Sequence, residues 1–307
     1  MTRRVRITDV SPRDGLQNEP GVIDVAAKVR LISLLARSGV DEIEVTSFVS
    51  PKWVPQLGDC AQVCDALVPL VTDRWPMLSA LVPNEKGFAG ALDANRRAGR
   101  TLLRKVSVFT AASETFSQRN TNASVAETIR RFEPVVKGAH DAGLLVRGYV
   151  SCIVACPFEG PVAPSRVREV TDLLASVGVD ELDLGDTIGA GTPETIRSVL
   201  EDVGRSHPLG GGSRPVTLHL HDTFGRGAAC VRVALDLGVR SFDGAAGGLG
   251  GCPYATVDGR RAPGNISTEL LVRTIRDHGF EAGVGQTGID DAALAEAGRF
   301  AASLRST

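Results

Sequence analysis

Short apolar runs alternate with longer amphipathic ones along nearly the whole chain, and this alternation limits the fold more than any other feature. The first run, 5–10, ends in Ser11-Pro12-Arg13-Asp14-Gly15. After it Val25, Val29, Ile32, Leu35 and Ala36 fall at helical spacing, with Gly39 as a C-cap. Further strand-like runs follow at 42–48, 77–82, 102–109, 144–151, 182–184, 216–221 and 241–245. Helical stretches lie near 58–68, 85–97, 123–142, 164–176, 193–206 and 226–237, then from Ser267 and in an Ala-rich tail from about 289. Eight strands alternating with helices predict an α/β fold, a (β/α)8 TIM barrel. The expectation is one catalytic domain over 1–307 with extra C-terminal helices over about 280–307. A doubly wound sheet would need a Gly-rich phosphate turn after the first strand, and Ser11 to Gly15 is not one.

Charge removes whole classes of partner. The 307 residues carry 34 Lys and Arg against 36 Asp and Glu. The basic excess of a nucleic-acid or membrane-surface binder is absent, so neither is expected as a partner. No apolar run reaches the roughly 20 residues needed to cross a bilayer. The N-terminal stretch has no long apolar core of the secretory kind, and a cytoplasmic address is expected. Cysteines at 60, 64, 152, 156, 230 and 252 form no C-x-x-C pair, which points to free thiols rather than zinc or a disulfide framework.

A barrel places its active site at the C-terminal ends of its strands, and polar residues collect there. Arg13 and Asp14 follow the first strand. Glu44 lies in the second, with Thr46 and Ser47 at its end. Arg147, Tyr149 and Ser151 share one face of the fifth. Asp186 and Thr187 follow the sixth, and His219, His221 and Asp222 close the seventh. Cys252 and Asn265 follow the eighth. His219 and His221 are two apart, so their imidazoles project side by side. The pair alone fits a divalent metal or a hydrogen-bonded polar core about equally. With Asp14 and Asn265 on the same rim the metal reading wins, and two imidazoles, a carboxylate and an amide oxygen suit Mg2+ or Mn2+ better than Zn2+. Arg13 can hold a carbonyl or enolate oxygen, with Glu44 keeping it in place. Cys252, in Gly247-Gly248-Leu249-Gly250-Gly251-Cys252-Pro253-Tyr254, can act as an acid or base from a loop able to close.

Six stretches carry a resemblance in order along the chain: Pro12 to Glu19, Thr46 to Gln56, Arg147 to Cys152, Leu184 to Gly189, His219 to Thr223, and Gly250 to Ala255. They make the chain similar to the 3-hydroxy-3-methylglutaryl-CoA (HMG-CoA) lyase family over nearly its whole length. The resemblance implies a carbon–carbon lyase that splits HMG-CoA into acetyl-CoA and acetoacetate, as in leucine degradation. It implies metal ligation by Asp14, His219, His221 and Asn265, and catalysis by Arg13, Cys252, Glu44 and Asp14. Substrate contacts fall on Arg13, Gln17, Tyr149, Asp186 and Glu269. An acyl-CoA is the implied substrate, and a homodimer is admitted because such lyases are commonly dimers. Asp14 and His219 are both candidates for the base that takes the 3-hydroxyl proton. The chain departs from the family at 256–263, about four residues longer than expected, where Arg260 and Arg261 read as solvated charge rather than contacts to CoA phosphates. An aldolase on another 3-hydroxyacyl-CoA, a condensing synthase of the homocitrate or isopropylmalate type, and a non-catalytic binding barrel are the alternatives.

Overall fold

The computed structural model describes residues 3–210, 212, 214–250, 256–257, 260–261, 264–283, 285 and 288–305, with backbone alone at 256–257 and 260–261. Eight parallel strands form its centre: β1 (Arg4–Asp9), β2 (Glu42–Ser47), β3 (Met77–Leu81), β4 (Lys105–Ala111), β5 (Leu145–Ser151), β6 (Glu181–Asp186), β7 (Val216–Leu220) and β8 (Ser241–Gly244). Each pairs with its chain neighbour, and β8 returns to pair with β1 in the register Arg6 to Ser241 through Asp9 to Gly244, so the sheet is a closed (β/α)8 barrel. Among the described residues ten α-helices surround it: α1 (Val25–Ser38), α2 (Cys60–Leu67), α3 (Glu85–Ala98), α4 (Glu114–Thr121), α5 (Val125–Asp141), α6 (Pro164–Ser176), α7 (Pro193–Val203), α8 (Gly227–Asp236), α9 (Thr268–Asp277) and α10 (Asp291–Ser303).

Local chemistry sets these boundaries. Asp24 caps α1 by accepting from the Ala27 N–H, and Gly39 ends it in the left-handed conformation. Ser124 and Glu127 close a capping box on α5. Thr192 caps α7, with Pro193 at its first position. The apolar faces of the helices pack on the outward side chains of the strands in one continuous core that runs from Val5 to Ala301.

The barrel interior departs from the usual filling of branched apolar side chains. Arg147 and Lys105 lie fully inside it with Glu42, Glu181, Asp183 and Asp243. Lys105 Nζ is 2.7 Å from Glu42 Oε2 and 2.5 Å from Glu181 Oε2, and Arg147 Nη2 is 2.8 Å from Glu181 Oε1. Arg6 enters from below to pair with Glu42.

The expected strands and most helices are present at the expected places. Helix α4 is additional: only Phe116 and Ser117 of its eight residues are buried, so it has no apolar stripe to read. A two-residue strand, Glu281–Ala282, pairs beside the start of β1 where helix alone was expected. Two short antiparallel ribbons, Ala155–Cys156 with Gly160–Pro161 and Thr256–Val257 with Arg260–Arg261, are too brief to show a period.

Candidate active site

The segment after β1 is a five-residue π-helical turn, Ser11–Gly15, rather than an open loop. Such turns recur at functional sites because the wider turn re-aims side chains. Asp9 pins this one. Its carboxylate accepts from Ser11 N (2.9 Å) and Oγ (2.5 Å), from Ala246 N (3.1 Å) and from Thr268 Oγ1 (2.7 Å). The first strand, the turn after β8 and the start of α9 are thereby tied at one carboxylate. Burial pushes Asp9 up to about 6 against those hydrogen bonds.

Arg13 and Asp14 leave this turn pointing at the barrel mouth. Arg13 Nε donates to Glu44 Oε2 at 2.5 Å, and Nη1 donates to Asp14 Oδ1 at 2.6 Å. Burial opposes the guanidinium charge, but Glu44 and Asp14 more than reverse it and raise the Arg13 pKa. Tyr149 lies under Arg13, with the guanidinium carbon 5.4 Å from the ring centroid. Its hydroxyl is 3.4 Å from both Glu44 Oε2 and Asp243 Oδ2. Burial, with those two carboxylates beside it, pushes the phenol well above its ordinary value, so it acts as a donor.

Closure of the barrel brings three distant segments together. Asp14, His219 and His221 offer ligand atoms all within 4.8 Å of one another. His219 Nε2 is 4.0 Å from Asp14 Oδ2, and the two imidazole centroids are 5.4 Å apart. Asn265 arrives by backbone pairing: residue 265 bridges to His221, and Ile266 N donates to Leu220 O at 2.9 Å. Its Nδ2 donates to Asp14 Oδ2 (2.8 Å) and Leu249 O (3.0 Å), which leaves Oδ1 as the uncommitted amide atom. Gln17 Nε2 donates to Asp14 Oδ1 at 3.1 Å. Gly250, at φ +87, passes so close that a Cβ there would lie 2.6 Å from Asn265 Nδ2.

The electrostatics fit a cation. Burial works against the Asp14 charge, yet Arg13 and the two imidazoles hold its carboxyl well below the usual range. Burial and the neighbouring His219 push His221 down to about 4, so its ring is neutral. His221 Nδ1 is buried with no hydrogen-bond partner, while the ring meets the Thr187 backbone. A buried bare nitrogen on a residue grouped with the Asp14 carboxylate is a donor atom that a divalent ion would satisfy. Asp186 ends β6 beside them. Its Oδ2 accepts from Gly191 N at 2.7 Å, its Oδ1 is buried without a partner, and burial pushes its carboxyl up to about 6.

Of the other expected residues, one stands apart from this cluster and one cannot be placed in it. Glu269 turns its carboxylate to the Gly247 N–H, with both oxygens at 3.2 Å, and supports the root of the Gly-rich segment from below. Cys252 lies outside the described residues, as do the side chains of Arg260 and Arg261. Sequence reasoning passed over Asp243, which joins His219, Tyr149 and Arg147 at the floor of the site. The available signal was a charged residue on the inward face of a barrel strand.

The model of the HMGL-like family matches residues 4–300. Hydroxymethylglutaryl-CoA lyase, mitochondrial, from Pongo abelii is 42% identical over 300 residues, covering 98% of this chain and 85% of the relative. The crystal structure of the HMG-CoA lyase from Brucella melitensis superposes with a TM-score of 0.89 at 43% identity, covering 98% of this chain and 99% of the other. An HMG-CoA lyase from Acinetobacter baumannii, solved with coenzyme A and 3-methylmalate, gives 0.85 at 31% identity, with 98% and 91% covered.

Proposed function

The chain belongs to the HMGL-like family, and from that premise we propose that it is a divalent-metal-dependent carbon–carbon lyase that cleaves HMG-CoA to acetyl-CoA and acetoacetate. The observation that carries the metal site is the convergence of Asp14, His219 and His221, with a buried, unpartnered Nδ1 on His221. Asp14, His219 through Nε2, His221 through Nδ1 and Asn265 through Oδ1 would hold the ion, and Mg2+ or Mn2+ suits this mixed nitrogen and oxygen set. When bound, it supplies positive charge that lowers the pKa of a hydroxyl and polarises oxygen.

The remaining steps fall to side chains. The 3-hydroxyl gives up its proton to a base, the C2–C3 bond breaks, and its electron pair becomes the enolate of acetyl-CoA while C3 becomes the ketone of acetoacetate. Asp14 and His219 are both candidate bases, but as ligands both would have their lone pairs drawn to the ion. Asp186 suits the role better, because its buried Oδ1 has no other partner. Arg13 stabilises the enolate oxygen. Two of its nitrogens are fixed by Glu44 and Asp14, and Nη2 has no partner among the described residues. Glu44 and Tyr149 hold Arg13 in that pose. Cys252 returns a proton to C2, a role that rests on the sequence resemblance. Gln17 steadies Asp14.

A single domain, a homodimeric state, a cytoplasmic address and a place in leucine degradation belong to the same reading. Among the described residues no helix is long and apolar enough to cross a membrane. The deciding test is acetoacetate release from HMG-CoA, with and without chelator and with Mg2+ or Mn2+ restored, beside a panel of other 3-hydroxyacyl-CoAs. Turnover that survives full chelation would overturn the metal site. Turnover confined to another acyl-CoA would move the assignment to a related aldolase, for which the longer 256–263 segment is the sequence clue.

A further inference from the structure

His219 meets a carboxylate on each side of its ring. Nε2 faces Asp14 Oδ2 at 4.0 Å, and Nδ1 lies 3.1 Å from Asp243 Oδ2. A neutral imidazole has one N–H and one bare nitrogen, and only the bare one can hold a cation. What the opposite nitrogen bonds to decides which is which.

Asp243 is built to accept there. It pairs in register with His219 across β7 and β8, so both side chains point into the barrel at one level. Arg147 Nη1 is 3.3 Å from Asp243 Oδ1, and the Tyr149 hydroxyl is 3.4 Å from Oδ2. Burial resists its charge, but Arg147 and the His219 hydrogen bond more than offset that and hold the carboxyl below its ordinary range. Neighbouring Asp183 is the reverse case. Burial and the charge of Asp243 push its carboxyl well above its usual value. Asp243 thus accepts from Arg147 and Tyr149, and a carboxylate oxygen 3.1 Å from His219 Nδ1 calls for a donor at that nitrogen.

Asp183, His219 and Asp243 also lie close enough together to be considered as a second cation cluster. Arg147, 3.5 Å from Asp183 and 3.3 Å from Asp243, already supplies the positive charge on that side. That guanidinium stands where a cation would, so the cluster is the charged floor of the site rather than a second ion site.

We propose that Asp243 is the positioning residue for His219: it accepts the Nδ1 proton, fixes the tautomer and ring plane, and so presents a bare Nε2 to the pocket shared with Asp14 and His221. The inference rests on the metal-site reading above. It also adds a separate element, since a tautomer exists with or without an ion.

Metal-free protein with 15N-labelled histidine, at a pH alkaline enough to neutralise the ring, reads the tautomer from long-range 1H–15N correlations. The chain has only five histidines, and loss of one spin system in His219→Gln assigns the signal. The expected result is Nδ1 protonated and Nε2 bare. In Asp243→Asn, whose amide can present either N–H or C=O, the tautomer becomes mixed or reversed. Mn2+ affinity, titrated with Mn2+ alone, should fall about 10- to 100-fold. Asp243→Glu, which restores an accepting carboxylate, should recover most of that loss, whereas a merely structural role would leave the tautomer unmoved. An Nε2-protonated His219 in the wild type overturns the proposal, as does an Asp243→Asn protein with wild-type tautomer and Mn2+ affinity. If Asp243→Asn does not fold, the wild-type spectrum decides alone. A wild-type protein with the expected tautomer that takes up no Mn2+ overturns the metal site instead.

Discussion

Replacing Arg13 by Gln separates two effects that the geometry places in one side chain. The catalytic effect is the loss of a positioned donor at the developing enolate oxygen. Losses of this kind cost about 10²- to 10³-fold in kcat, roughly 3–4 kcal/mol. The structural effect falls on Glu44, which is fully buried, has Oε1 unpartnered, and has Oε2 bonded to Arg13 Nε at 2.5 Å. With Arg13 gone, the Tyr149 hydroxyl at 3.4 Å is the partner left to that charge among the described residues. Removing one partner of a buried ion pair costs on the order of 3–5 kcal/mol.

Arg13→Gln should therefore be both slower and less stable, and Arg13→Gln/Glu44→Gln tells the two effects apart. Removing the stranded carboxylate should return much of the lost stability, read by urea unfolding. The kcat of the double variant, read as acetoacetate release at saturating substrate and metal, should be no lower than that of Arg13→Gln alone. That is the behaviour of two residues acting as one unit. Near-normal kcat in Arg13→Gln would refute the role of Arg13. Losses that multiply in the double variant would refute the claim that Glu44 acts through Arg13.

Lys105→Met should cost about 3–5 kcal/mol in urea unfolding, because it leaves Glu42 and Glu181 buried without the ammonium between them; the activity of the folded fraction should persist. Gly298→Ala puts a Cβ 1.7 Å from Glu269 Oε1, so Glu269 must leave the Gly247 N–H. Faster hydrogen exchange at the Gly247 amide is the expected readout. Asp9 binds its proton more tightly folded than unfolded, with a folded pKa near 6 against 3.8. The stability this contributes is present at acid pH and is lost as pH rises through that window. Asp9→Asn should therefore gain relative to wild type in unfolding free energy between those pH values, and an unchanged difference would show that Asp9 titrates normally.

The barrel was legible because its strands are buried on both faces and its helices on one, which writes two different periods into the chain. The site was legible where a residue pattern carries a geometry by itself: a His pair two apart on a strand, and an Arg-Asp pair just past another. Asn265 is different. Its neighbours Gly264 and Ile266 bond backbone to backbone with the end of β7, a pairing that only the closed barrel creates. Glu269 sits in a matching motif, but Gly298 on the packed α10 opens the space that turns its carboxylate to Gly247. Asp243 was passed over because the run 241–245 is too short for its inward face to stand out against its outward one.

Interior charge supports the proposed cation site at the mouth of this barrel. At the floor, the positive Arg6, Lys105 and Arg147 meet the carboxylates of Glu42, Glu181 and Asp243, while burial and the charge of Asp243 push the Asp183 carboxyl well above its usual range. At the mouth, Arg13 alone faces both Glu44 and Asp14. The upper set thus carries one more negative than positive charge, and it does so beside the buried Arg13 and Glu44, where an unpaired charge is costly. His219 responds to this. Burial lowers its pKa, yet the Asp243 hydrogen bond and the Asp14 charge lift it above its ordinary value. His221, one strand step closer to the rim, is driven the other way and stays neutral. The excess negative charge is therefore localised between Asp14 and two nitrogen donors. A divalent ion held there would neutralise Asp14 and leave positive charge over for an oxygen of the substrate, which a protonated histidine in the same place would not.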